Sequence, residues 1–157
     1  MRSTTAKLVI AVAITAIGMF GADSSAATWK FNAAKSKTTS ANPIKSQTDV
    51  REATPDGGVK VTRTGQFKDG TPNEGTYSYN YDGKESSASA TGVPFDTISV
   101  KRIDENTTSW EVKKTGGKYQ AKGQNVISKD GKTLTQTSKG TSAEGKPETS
   151  TLVYDKQ

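Results

Sequence analysis

An all-β fold, an antiparallel up-and-down barrel of about ten strands, is predicted for this 157-residue chain by three features of its sequence. Turn signals recur about 10 to 14 residues apart, the spacing of consecutive hairpin-linked strands. They are Pro55-Asp56-Gly57-Gly58, Asp69-Gly70, Asp82-Gly83, Gly92-Val93-Pro94, Asp104-Glu105-Asn106, Gly116-Gly117, Asp130-Gly131 and Glu144-Gly145. Between them apolar residues alternate with polar ones: Val59 with Val61, Tyr77 with Tyr79 and Tyr81, Ile98 with Val100, Trp110 with Val112. Finally, no stretch after residue 27 sustains the i, i+3, i+4, i+7 apolar pattern of a packed helix.

Taken in order, the predicted strands are Thr28 to Asn32, Ser46 to Thr54, Gly58 to Phe67, Gly75 to Tyr81, Lys84 to Thr91, Phe95 to Ile103, Thr107 to Lys114, Lys118 to Ser128, Thr133 to Gly140 and Glu148 to Asp155. The one long irregular stretch is Ala33 to Pro43. A twisted meander of this many strands removes its exposed edges by closing on itself, a two-sheet sandwich being the competing arrangement.

Residues 1–27 read as a signal peptide and 28–157 as the barrel domain. Arg2 and Lys7 precede an apolar run from Leu8 to Phe20, and Ser25-Ala26-Ala27 supplies small residues for cleavage after Ala27 or Ala26. The run is short for a transmembrane helix, which needs about 20 residues. A periplasmic or secreted protein without a transmembrane segment, and monomeric by default, is expected.

Composition bounds the interior. Hydrophobic residues make up 31% of the chain and charged residues 24%, so the core is thin and a partly polar interior is expected. Cysteine is absent, which removes the disulfides that usually staple small exported domains and raises the value of a closed sheet.

Histidine is absent too. The usual neutral-pH base, the commonest metal ligands and the thiol nucleophile are thus all missing. Ser128-Lys129 and Ser138-Lys139 set serine beside lysine, but adjacent strand residues face opposite ways. Most Asp residues stand in turns, where backbone geometry wants them. No catalytic residue, cofactor or metal is expected, and the chain reads as a non-enzyme.

The positive signals are fewer. Tyr77, Tyr79 and Tyr81 form a ladder on one strand face that could line a pocket, and Trp110 shares a face with Val112. Arg63 has the parity of Val59 and Val61, and Arg102 that of Ile98 and Val100. An inward arginine needs an acidic partner, which an acidic ligand would supply. Arg63, Tyr77, Tyr79, Tyr81, Arg102 and Trp110 are accordingly the candidate ligand-binding residues. The net charge of +6 also admits an acidic partner. Nucleic acid is not expected, because basic groups do not interleave with the aromatic ladder.

Several motifs carry a resemblance: Thr28-Trp29-Lys30-Phe31-Asn32, Tyr81-Asp82-Gly83-Lys84, Val100-Lys101-Arg102-Ile103-Asp104, Ser128-Lys129-Asp130-Gly131-Lys132-Thr133 and Val153-Tyr154-Asp155-Lys156. Together they resemble small exported bacterial proteins of lipocalin-like type and, more distantly, the ten-stranded fatty-acid-binding barrels. That resemblance implies a calyx for a small amphipathic or hydrophobic ligand. The alternative is a structural or interaction protein of the cell envelope whose barrel is filled solid.

Overall fold

The computed structural model describes residues 23–88 and 92–157. Its strands are β1 (Thr28–Phe31), β2 (Lys37–Thr38), β3 (Ile44–Ala53), β4 (Val59–Phe67), β5 (Gly75–Tyr79), β6 (Asp82–Ser87), β7 (Thr97–Arg102), β8 (Thr107–Lys113), β9 (Gln120–Ile127), β10 (Thr133–Thr141) and β11 (Pro147–Lys156). All belong to one antiparallel sheet in the order β5-β4-β3-β1-β11-β10-β9-β8-β7-β6, with β2 continuing the line of β1 beside β11. The ten long strands are those the turn spacing predicts. The eleventh, β2, lies in the stretch expected to be irregular, which also holds a single 3-10 turn at Ala33–Lys35.

Closure follows from pairing the first strand with the last. Trp29 stands opposite Lys156 on one side and opposite Asp49 on the other, so β1 joins the two ends of the meander. Among the described residues one seam is left without a ladder, between β5 and β6. The chain forms a nearly closed barrel. Its turns use the predicted chemistry: the left-handed glycines have φ between 69° and 88°, and Asp69, Asp82, Asp104 and Asp130 each accept from the backbone N–H two residues on.

Up-and-down topology sends alternate loops to opposite ends. Residues 38–44, the described part of the β6–β7 connection and the β4–β5, β8–β9 and β10–β11 connections surround one end, the mouth. The other four turns gather at the closed end, where Trp29, Ile127, Leu134 and Tyr154 pack into a floor. A second cluster, including Val59, Val61, Tyr77, Tyr79, Ile98 and Val100, forms the wall. Each fully buried residue of this size contributes about 1.5–3 kcal/mol relative to exposure.

Gly123 permits the tight curvature of β9 on β10. A β-carbon there would overlap the Thr137 carbonyl, and Gly123 also lies opposite Trp110 on β8, leaving room for the indole. We expect Gly123→Ala to lower stability by about 1–3 kcal/mol through overpacking, read as a lower denaturation midpoint at unchanged slope.

Residues 1–22 of the expected leader lie outside the described residues. Residues 23–27 are described, and they cap the closed end. The Trp29 indole Nε1 donates to the Ser25 carbonyl at 2.9 Å, Tyr81 Oη donates to Asp23 Oδ2 at 2.7 Å, and Arg102 Nη2 reaches the same oxygen at 3.2 Å. The cleavage expected after Ala27 would remove all of these partners. A chain beginning at Thr28 is expected to be about 1–3 kcal/mol less stable than one beginning at Asp23, the cost of orphaning the buried indole N–H. Chemical denaturation of the two chains checks this.

Candidate functional site

Strand β3 carries the chemistry of the interior. Trp29 on β1 is fully buried, and its register partner Asp49 faces inward with it. Alternation then turns Gln47 and Arg51 the same way and sends Val50 to solvent. The result is an inward row of Gln47, Asp49 and Arg51, all buried, descending from mouth to floor.

A hydrogen-bonded network surrounds Asp49. Arg63 binds it bidentately, Nε to Oδ1 and Nη2 to Oδ2, both at 2.9 Å, and Nη2 also donates to Tyr77 Oη at 3.2 Å. Gln47 Nε2 donates to Asp49 Oδ1 at 3.0 Å and to Tyr154 Oη at 3.2 Å, while its Oε1 accepts from Asn73 at 2.8 Å. Burial pushes the Asp49 carboxyl up, but the charge and hydrogen bonds of Arg63, with Arg51 and Gln47, hold it below its ordinary value. Burial also raises the phenols of Tyr77, Tyr79 and Tyr154, and it pushes that of Tyr119 up to about 12.

This network borders a cavity of about 590 Å³ that opens at the mouth. Phe95, Ile98, Val100, Val112, Tyr119 and Leu152 supply an apolar wall. Gln47, Arg51, Arg63, Asn73, Asn125 and Gln136 supply the polar part. Glu144, Lys146 and Glu148 stand at the rim on the β10–β11 hairpin. A wider depression of about 850 Å³ lies mostly on the outer face of β7 to β11, among exposed side chains such as Lys101, Glu111, Lys122 and Lys139. The enclosed site is the stronger candidate because it alone combines buried polar groups with an apolar wall.

The candidates named from sequence are distributed unevenly around this cavity. Tyr77, Tyr79 and Trp110 line it. Tyr77 and Tyr79 are buried and stacked with ring centroids 6.5 Å apart, Tyr77 meeting Phe95 edge-on at 5.7 Å. Arg63 lines it as well, though its guanidinium is engaged by Asp49. Tyr81 and Arg102 stand instead at the closed end, where the Arg102 guanidinium lies 3.9 Å from the Tyr81 ring centre and pairs with Asp23. Arg102 follows the inward parity of its strand, but β7 ends there and the side chain is exposed. Gln47, Asp49, Arg51, Asn73 and Asn125 were not named from sequence. Their signal is the inward register that Trp29 imposes on β3, which only the paired sheet reveals.

Among the described residues no group of three His, Cys, Asp or Glu side chains could hold a metal ion. No helix there is long and apolar enough to cross a membrane.

No protein-family profile matches the chain, and no curated protein matches it in sequence. Solved structures do. A point variant of the fluorescent protein UnaG superposes with a TM-score of 0.56 at 10% identity, covering 85% of this chain and 96% of that one. Wild-type UnaG gives 0.52 at 11% identity, with 83% and 96% covered. The redesigned β-barrel mFAP1, solved bound to DFHBI, gives 0.44 at 12% identity, with 83% and 93% covered. At these identities the likeness to UnaG is one of barrel fold.

Proposed function

We propose that this barrel reversibly binds a small amphipathic molecule in its interior and is not an enzyme. The observation that carries the reading is the cavity: about 590 Å³, inside the range of roughly 300–1,000 Å³ typical of small-molecule sites, with an apolar wall and a few polar groups held by a rigid sheet. A barrel serving only as an envelope scaffold would fill that space with side chains. Export to the periplasm or medium fits the leader-like residues 1–27, and the bacterial assignment rests on the sequence resemblance alone.

Native mass spectrometry of the protein purified from its own host is the direct test. A reproducible adduct of a few hundred daltons, lost on denaturation, is expected. A bare mass, together with no binding to either an aliphatic acid or the matching alcohol in vitro, would overturn the reading.

A further inference from the structure

Among the described residues Arg51 is the one buried charge that the barrel does not satisfy. Its side chain is 6% exposed, and its contact with Asp49, Nη2 to Oδ2, is 3.9 Å, beyond hydrogen-bond reach. Among the described residues none of its guanidinium nitrogens donates a hydrogen bond to the protein, and its Nε is fully enclosed without a partner. Asp49 meanwhile is taken bidentately by Arg63. The buried wall therefore holds two guanidinium charges against one carboxylate, leaving one positive charge over. A buried arginine with its donors idle is costly, and the fold could have avoided the cost with an apolar residue of similar size.

Two further enclosed atoms lack partners among the described residues, the Trp110 indole Nε1 and Asn125 Oδ1. They come from different strands, β8 and β9, yet both side chains line the same cavity as Arg51. Unpartnered buried groups are rare in folded proteins, and three lining one space mark where something else completes the bonding.

Resting on the binding function proposed above, we infer that Arg51 forms an anion subsite deep in the cavity, which receives the monoanionic head of an amphipathic acid, a carboxylate, in head-down orientation. One carboxylate neutralises the surplus charge. A phosphate dianion would leave a negative charge buried in its place. Depth sets the orientation: along β3 from the mouth, Arg51 follows Gln47 and Asp49, and its backbone N–H already bonds to the Ala27 carbonyl at the closed end. At the other end the rim carries Glu144 and Glu148 against Lys146, a net negative charge that disfavours an acid lying head-up. The apolar body then lies along Val100, Ile98 and Val112. Trp110 Nε1 offers a second donor to the ligand, and Asn125 Oδ1 accepts from a hydroxyl or amide N–H on it.

Titration calorimetry with decanoic acid, decan-1-ol and decyl phosphate separates the possibilities. Expected is an acid preference over the alcohol of about 10- to 100-fold in the unaltered protein, the value of a charge-assisted hydrogen bond, with decyl phosphate weaker than the acid. Arg51→Met should abolish that preference, acid and alcohol then binding the variant alike. If acid and alcohol bind equally to the unaltered protein, the anion subsite is wrong and the binding barrel stands. If the phosphate binds best, the monoanion assignment is wrong. Should none of the three bind, the proposed function itself fails. The comparison within the unaltered protein decides the matter even if Arg51→Met does not fold.

Discussion

Asp49→Ala should be among the most destabilising single substitutions in this chain, costing about 3–5 kcal/mol. The carboxylate is 1% exposed and receives three hydrogen bonds, two of them from Arg63. Removing it leaves two buried guanidinium groups facing each other with no counter-charge. Replacing both partners, Asp49→Leu with Arg63→Met, restores the original interior charge and should recover much of the loss, since an apolar pair can substitute for a buried ion pair. Urea denaturation of the two single variants and the double variant measures the coupling; strict additivity would show that the pair does not act as a unit. The same ion pair predicts acid sensitivity. The carboxyl is held below its ordinary value of 3.8 in the folded protein, so its contribution is complete above that value and fades as the pH falls through the lower folded one. Asp49→Asn should flatten this acid limb of the stability profile.

Trp29→Ala should cost a similar amount, about 3–5 kcal/mol, for a different reason. The indole is fully buried, packs in the floor cluster with Leu134, Ile127 and Tyr154, and anchors residues 23–27 through its bond to the Ser25 carbonyl. Trp29→Phe separates these roles by keeping most of the apolar area and deleting the donor. It should cost clearly less than the alanine change. A phenylalanine variant as unstable as the alanine one would mean that the hydrogen bond, rather than packing, holds the floor.

The barrel was legible in the sequence because its determinants are local. Hairpin glycines and turn aspartates recur at fixed spacing, and Val59, Val61, Ile98 and Val100 alternate cleanly, so strand number and order follow from neighbouring residues. The cavity-lining groups were legible only where they shared a strand with such a pattern, as Arg63, Tyr77 and Tyr79 do. Strand β3 has no such pattern. Its inward residues are Gln47, Asp49 and Arg51, and its one well-placed valine, Val50, points to solvent at 39% exposure, so alternation by itself selects the wrong face. What fixes that face is the pairing of β3 with β1, set by the burial of Trp29 twenty residues away from Asp49. Arg102 shows the converse: parity gives the side of the sheet but not the height at which a strand stops.

The pairing of β1 with β11 also fixes when the molecule can become whole. Trp29 needs Asp49 on one flank and Lys156 on the other, and Gln157 bonds through its backbone N–H to the Thr28 carbonyl. The barrel's first strand must therefore wait for its last. Until residues 147–156 are available, β1 has one open edge, the floor lacks Tyr154, and Gln47 lacks one of its acceptors. Ring closure across the whole chain carries a large loop entropy before any contact rewards it, which places such all-β chains among slow folders, in milliseconds to seconds. A chain synthesised at roughly 5–20 residues per second thus stays unclosed until residues 147–156 have been made, long enough to be handled as an extended polymer before it becomes a barrel.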